Sequence, residues 1–305
     1  MTMKRFLFVS IALIFIFSSM GAVLADTHTY YDLGVRSAPT SMLSSEPTPV
    51  AGIWQPTADA PIHWQWQLSK PFNISKHLIS GVTVYDIDMF DNDASVVAAL
   101  HAKGFIVIAY IEAGCWTSGR PDSSKFPASV IGKRISGWPD KWLDIRSSKV
   151  RQIMAARFDL AKSKGFDAVE PDCIDGWQNN TGFPLTAQDQ IDYNKWIANY
   201  CHSIGLSVGL KGDNDQVGAL YTYFDWALNE QCNQYSECFK SPNSYALFIN
   251  ANKAVFNCEY KVTSQCSAMK AAHINSMTRD VNLKAPGSSG YKRVPCVPDT
   301  RNTWN

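Results

Sequence analysis

Val150-Arg-Gln-Ile-Met-Ala-Ala-Arg-Phe-Asp-Leu-Ala-Lys-Ser-Lys-Gly165-Phe-Asp-Ala-Val-Glu170-Pro-Asp172 is the stretch on which the fold turns. Val150, Ile153, Met154, Phe158 and Ala161 recur at helical spacing with Arg and Lys between them, so a helix over 149–164 has one face built for burial. Gly165 stands where a left-handed C-cap is wanted. The short apolar run 166–170 then reads as a buried strand, and it stops in acids. Helix, glycine, strand and polar strand end together make one unit of a parallel α/β fold.

The unit recurs on both sides. A helical segment over 94–103 stops at Gly104 before the strand 105–111, and another over 186–204 stops at Gly205 before the strand 206–210. With 62–66, 82–86, 224–228, 255–259 and 275–281 the chain offers eight candidate strands. Eight such units over residues 61–305 match a single (β/α)8 TIM barrel, whose usual size is roughly 250 residues. A doubly wound nucleotide-binding sheet would carry a Gly-rich loop after its first strand, and Gln67-Leu-Ser-Lys-Pro71 stands there instead.

The chain of 305 residues has 28 Lys+Arg against 27 Asp+Glu and no basic cluster, which excludes nucleic acid as a partner. Lys4 and Arg5 precede an apolar run over 6–17, then Ser18, Ser19 and Val23-Leu-Ala25, the pattern of a secretory signal peptide cut after Ala25. The run is too short for a membrane anchor, which needs roughly 20 apolar residues, so no span is expected after cleavage. Cleavage would leave 26 positive charges against 27 negative. Residues 26–60, rich in Thr, Ser and Pro, read as a flexible leader, and 61–305 as the catalytic domain. Eight cysteines in a secreted chain allow four disulfides, with Cys296 placed to tie the tail 285–305 to the barrel. They contain no C-x-x-C and no His pair accompanies them at ligand spacing, so neither a metal nor a cofactor is expected. Asn73-Ile-Ser75 and Asn179-Asn-Thr181 are glycosylation sequons. Nothing specifies an oligomeric state.

A TIM barrel builds its active site at the C-terminal ends of its strands. Those ends carry Trp64 and Trp66; Tyr85, Asp86, Asp88 and Asp91; Glu112; Glu170, Asp172, Asp175 and Trp177; Lys211 and Asp213; Asn229 and Glu230; Glu259 and Tyr260. Single acids at strand ends commonly cap the following helix. Acids at six successive ends, beside so many aromatic rings, suit a carbohydrate: ring faces stack on aromatics, and glycoside hydrolysis takes a pair of carboxyl groups.

The same residues resemble a known family. Trp64-Gln-Trp-Gln-Leu68, Tyr85-Asp-Ile-Asp-Met-Phe-Asp91, Arg120-Pro-Asp122, Trp142-Leu-Asp-Ile-Arg146, Glu170-Pro-Asp-Cys-Ile-Asp-Gly-Trp177, Leu210-Lys-Gly-Asp213, Asn229-Glu-Gln-Cys232 and Phe256-Asn-Cys-Glu-Tyr260 are similar to the blocks of glycoside hydrolase family 114, the endo-α-1,4-polygalactosaminidases. The resemblance implies a (β/α)8 barrel cleaving galactosamine polymers, a cationic or partly acetylated amino-sugar polysaccharide, with Asp172 and Glu230 as the catalytic pair. Asp172 is then the ionised nucleophile and Glu230 the acid, its proton favoured by partial burial beside Trp226, with retention of configuration the expected outcome. The remaining acids are expected to pair with substrate ammonium groups, or, for Asp86 and Asp88, to support Lys211.

Other readings fit less well. Asp86-Ile-Asp88 is shared with haloacid-dehalogenase phosphatases, but Phe90 stands where those carry Thr or Val. An EF-hand beginning at Asp86 would need Gly and Glu at its sixth and twelfth positions, where Asp91 and Val97 stand. A glycosidase barrel of other specificity, or a catalytically silent carbohydrate-binding barrel, is the nearer alternative.

Overall fold

The computed structural model describes residues 51–240, 242–261 and 265–304. The expected signal peptide and residues 26–50 of the leader lie outside the described residues. β1 (Trp64–Gln67), β2 (Val84–Asp88) and β3 (Ile106–Glu112) pair in parallel; β4 (Cys115–Trp116), β5 (Ile131–Arg134) and β6 (Lys141–Leu143) then form a small antiparallel side sheet above β3. The parallel series resumes with β7 (Ala168–Asp172), β8 (Ser207–Lys211), β9 (Trp226–Glu230), β10 (Val255–Glu259) and β11 (Ile274–Arg279), each hydrogen-bonded to its predecessor in that order. This is the (β/α)8 barrel that the strand count predicts. The crossovers carry α1 (Ala94–His101), α2 (Ser148–Lys164), α3 (Ala187–Ser203), α4 (Val217–Leu220), α5 (Ala246–Asn250) and α6 (Cys266–Ala271). Gly165 caps α2 at φ 91°, and α3 opens with a capping box between Thr186 and Asp189.

Six strands run one or two residues beyond the apolar runs that mark them. Glu170-Pro-Asp172 lies inside β7, Asp86 and Asp88 inside β2, and Glu230 inside β9. The cause is alternation: on each strand every second side chain enters the barrel, and near its upper mouth those side chains are charged partners of one another. Apolarity therefore ends before the backbone ladder does.

The same alternation separates two cores. Inside the barrel Trp64, Trp66, Val84, Ile108, Ala168, Trp226, Leu228, Phe256, Cys258 and Met277 pack together, while Tyr85, Ile87, Val107, Val169, Val208, Leu210 and Val255 face the helices. Three disulfides form, Cys115–Cys173, Cys232–Cys238 and Cys266–Cys296, and the fourth that eight cysteines would allow does not. Cys258 belongs to the inner core and Cys201 to the outer, so the sheet itself lies between the two thiols.

The barrel closes through its tail. β12 (Arg293–Pro295) lies antiparallel on β11, and Arg293 donates to the Trp64 carbonyl at 2.9 Å. The Trp64 indole N–H reaches the Asn275 carbonyl at 3.1 Å, Ile62 N–H reaches the Asn275 side chain at 2.7 Å, and Arg279 donates to the Trp66 carbonyl. Cys266–Cys296 fastens this segment to α6. At the lower end, residues 51–60 also pack: Trp54 meets Trp226 with ring centroids 6.0 Å apart, and Pro56 accepts from Ala254 N–H at 2.9 Å.

Asp167 and Asp225, each just before a strand, repeat one device at that end. Asp167 accepts from Val107 N–H at 2.8 Å and pairs with His101 at 2.8 Å; Asp225 accepts from Val208 N–H at 2.9 Å and pairs with His202 at 2.9 Å. One carboxylate thus satisfies the second amide of the preceding strand and fixes the end of the helix that leads into it.

Gly209, on β8, lies against the Trp226 indole so closely that a Cβ would come within 2.4 Å of the ring. Gly209→Ala is expected to destabilise the barrel by about 1–3 kcal/mol through overpacking. Denaturant unfolding checks this; a midpoint unchanged from wild type would contradict the packing described.

Candidate active site

Lys211 ends β8 with its side chain inside the barrel mouth, beneath the loops. Its ammonium lies 2.8 Å from Glu170 Oε1, 3.0 Å from Asp172 Oδ1 and 3.3 Å from Glu230 Oε2, and 4.7 Å above the Trp66 ring centroid. Burial alone would lower its pKa, but Asp172, Glu170 and Glu230 outweigh burial and hold it well above the usual lysine value. The lysine stays charged, and the acids are arranged around it.

Those acids differ in exposure. Asp86 and Glu170 are fully buried, whereas the side chains of Asp172 and Glu230 remain 25% and 36% exposed toward the cleft. Burial raises Glu170 to about 7, reinforced by Asp172 and opposed by Lys211. Burial and the neighbouring Glu170 push Asp86 well above the carboxylate range. Neither oxygen of Asp86 nor Oε2 of Glu170 has a donor. A proton held by this pair supplies one, so four carboxyl groups around one lysine do not carry four charges.

Asp172 is the opposite case. Burial would raise it, but Lys211 and the Tyr110 hydroxyl, 2.8 Å from Oδ2, overcome this and keep it below the usual carboxylate value. Glu230 accepts from the Tyr260 hydroxyl on its other oxygen. Trp226, the expected neighbour of Glu230, opens β9 at the far end of the barrel, where it packs on Trp54 and Phe256; a five-residue strand separates the two.

A second charged group lies over β2 and β3. Arg120 donates to Glu112 at 2.9 Å and to Asp88 at 3.1 Å, and stands 3.7 Å from Asp91. Arg157 holds Asp122 through two bonds of 2.8 Å, with Phe90 against both guanidiniums. Asp88 and Glu112 are therefore engaged by Arg120 rather than by Lys211, while the Asp91 side chain stays 42% exposed. Trp177 donates its indole N–H to Asp213 at 2.9 Å, and Asn194 binds the other oxygen at 2.9 Å; burial raises Asp213 to about 8. Asp175 sits on the same loop, just before the turn that carries Trp177.

Of the residues singled out in the sequence, the barrel thus brings together Trp66, Asp86, Glu170, Asp172, Lys211, Glu230 and Tyr260. Trp64 lies lower, packed on Trp66 and Phe256. Tyr85 faces outward between Phe72 and Phe105. Asn229 faces outward to Asn214 and Tyr245, and Glu259 binds Asn257 and the Asn233 N–H, behind the sheet. These three have the wrong parity for the barrel interior. Tyr110, one of the aromatic residues that the strand ends place beside the rim acids, enters the barrel two residues before Glu112 and bonds Asp172. Arg120 is a partner that strand-end reasoning left out of the site, since it arrives from a loop with no periodicity of its own. Among the described residues no cluster of His, Cys, Asp and Glu could hold a metal ion, and no helix is long and apolar enough to cross a membrane.

The model of glycoside-hydrolase family GH114 matches residues 44–298. The chain belongs to glycoside-hydrolase family GH114. It is a glycoside hydrolase by that membership, and solved structures agree. Aspergillus fumigatus Ega3, crystallised in complex with galactosamine, is 35% identical, with a TM-score of 0.70 over 79% of this chain and 98% of that one. The glycoside hydrolase domain of PelA from Pseudomonas aeruginosa shares the fold at 11% identity, with a TM-score of 0.58 over 75% of this chain and 98% of its own. Comparison with curated protein sequences returned no match.

Lys211 gives this GH114 site a testable electrostatic signature. In Lys211→Met the buried carboxyls lose their counter-charge, and their folded pKa values rise above the unfolded ones. The destabilisation should therefore be smallest toward pH 4, where those groups are largely protonated in the folded variant and about half protonated in the unfolded chain, and grow with pH to about 3–5 kcal/mol above neutrality. Denaturation of both proteins from pH 4 to 8 checks this; a difference independent of pH would remove Lys211 from the role.

Proposed function

We propose that this GH114 chain is a secreted endo-acting hydrolase of α-1,4-linked galactosamine polymers, with Asp172 as nucleophile and Glu230 as acid and base. The observation that carries the reading is that one ammonium, Lys211 Nζ, contacts both carboxylates and that these two, unlike Asp86 and Glu170, open to the cleft. The two oxygens concerned are at most about 6.3 Å apart, the sum of their 3.0 and 3.3 Å distances to Nζ. One lysine thus serves both carboxylates at close range, and retention is the outcome we infer for the pair.

The chemistry follows from the charges. Asp172, kept ionised by Lys211 and Tyr110, attacks the anomeric carbon while Glu230 gives its proton to the departing glycosidic oxygen. Asp172 loses a negative charge as Glu230 gains one, and Lys211, in contact with both, sees the same total throughout. Water, deprotonated by Glu230, then releases the glycosyl group and restores Asp172. Family membership, the galactosamine bound to Ega3 and the exposed carboxylate of Asp91 support an amino-sugar polymer. Three disulfides and the N-terminal sequence pattern support secretion.

Asp172→Asn and Glu230→Gln should each lower depolymerisation of an α-1,4-galactosamine polymer by about 10³-fold or more, measured as new reducing ends. Early product should be the α-anomer by NMR. Activity equal to wild type in either variant, or a β-product, would refute the assignment. Binding without turnover by the wild type would favour the silent-barrel reading, and cleavage confined to other α-galactosidic polymers would favour another specificity.

Affinity for the polymer should fall as salt rises from about 0.05 to about 0.5 M, because screening shortens the reach of the acidic cleft. It should fall again on full N-acetylation, which removes the ammonium groups. Calorimetric titration checks both; indifference to both would exclude charge recognition.

A further inference from the structure

The strand ends that carry the two carboxylates share a feature that hydrolysis by itself does not require. Directly after Asp172 the chain turns through Cys173 at φ 63°, and directly after Glu230 it turns through Gln231 at φ 61°. Both lie in the left-handed region that side chains with a Cβ avoid, so something outside each turn must hold it. In both cases a disulfide is within one residue: Cys173 is bonded to Cys115, and Cys232 to Cys238.

The β7 end shows what the first bridge does. Ala113 and Gly114 donate their N–H groups to the Asp172 carbonyl at 2.9 and 3.0 Å. A Cβ on Gly114 would come within 1.8 Å of the Cys173 carbonyl, so β3 and β7 approach as closely here as backbones can. The β3 side is itself anchored: Arg157 donates to the Glu112 carbonyl at 2.7 Å, Tyr193 to the Ala113 carbonyl at 2.6 Å, and Leu143 N–H to the Gly114 carbonyl at 3.0 Å. Cys115 follows in that braced segment and fixes Cys173 by its side chain. The turn at Cys173 begins directly beyond Asp172, whose carboxylate meets Lys211 at 3.0 Å and the Tyr110 hydroxyl at 2.8 Å.

We propose that the Cys115–Cys173 disulfide is a positioning element for the reaction: it holds Cys173 in the left-handed conformation that fixes where β7 ends, and so where the Asp172 carboxylate meets Lys211 and Tyr110. The bridge acts through Asp172 and touches no substrate, and its kinetic consequence rests on the proposed role of Asp172 as nucleophile. Around that carboxylate stand Lys211 from β8, Tyr110 and Glu112 from β3, Glu170 from its own strand, Asp86 from β2 and Glu230 from β9. Of these, Lys211 at 3.0 Å and the Tyr110 hydroxyl at 2.8 Å stabilise the ionised form, so a carboxylate that shifts when the turn relaxes loses part of both.

The test compares Cys115→Ala/Cys173→Ala with Cys115→Ala/Cys173→Gly. Both lack the bridge, but glycine adopts positive φ without help and alanine does not. The alanine pair should lose about tenfold in kcat with KM within about twofold of wild type, and the glycine pair should recover most of that loss. In ¹³C-detected titrations, with the Asp172 carboxyl identified by its loss in Asp172→Asn, its apparent pKa should rise in the alanine pair and return toward wild type in the glycine pair. Cys266→Ala/Cys296→Ala should lower Tm without moving either readout. An alanine pair that fails to fold where the glycine pair folds supports the proposal in the same way, since only the tolerance of positive φ separates them. Wild-type kcat and titration in the alanine pair, or a glycine pair no better than alanine, would overturn the proposal. The titration needs no substrate: if wild type cleaves no galactosamine polymer, the functional reading fails while the clamp is still decided.

Discussion

A buried ammonium among more carboxyl groups than it can neutralise is the constraint on which the site depends. Lys211 is in contact with Glu170, Asp172 and Glu230, with Asp86 behind them. Full ionisation of all four in a closed barrel would be prohibitive. The structure resolves this by depth: the fully enclosed Asp86 and Glu170 hold a proton, and Asp172 and Glu230, nearer the cleft, both contact the lysine. The deep pair is therefore an electrostatic foundation, and the shallow pair is left for chemistry.

The rest of the fold serves that arrangement. Inward alternation on β2, β3, β7, β8 and β9 supplies Asp86, Tyr110, Glu170, Asp172, Lys211 and Glu230 from five neighbouring strands, each rigid because both of its edges are paired. Below them the tryptophan and phenylalanine layer fills the barrel and offers Trp66 to the underside of the ammonium. Above them, loops held by Arg120, Arg157 and the Asp213–Trp177 contact frame the opening.

Charge balance at the whole-molecule level conceals this. The 28 positive and 27 negative residues nearly cancel, yet much of the acidic share is gathered at one mouth. Several of those acids are not free to meet a cationic sugar: Asp88 and Glu112 are held by Arg120, Asp213 by Trp177 and Asn194, and Glu259 by the loop after β9. An acidic rim is thus partly internal scaffolding, and the surface available to an ammonium group is narrower than the composition of the strand ends implies.

Much was legible in the residues alone. Helix, glycine and apolar run repeating along the chain establish a barrel, because each periodicity reports which face of an element meets the core, and the strand-end blocks carry the family. Asp172, Glu230 and Lys211 were all legible as strand-end residues. What the sequence could not decide was depth and facing. Tyr85, Asn229 and Glu259 stand beside site residues in the chain but point behind the sheet, since neighbouring strand positions face opposite sides. Lys211 meets Glu170 and Asp172 across 41 and 39 positions of chain, and Cys115 meets Cys173 across 58. The proton shared by Asp86 and Glu170, and the single ammonium between Asp172 and Glu230, likewise depend on distances across the barrel. Only closure of the barrel sets such distances, because a linear chain encodes which side chains exist and in what local rhythm, whereas electrostatic coupling depends on separation and burial in three dimensions.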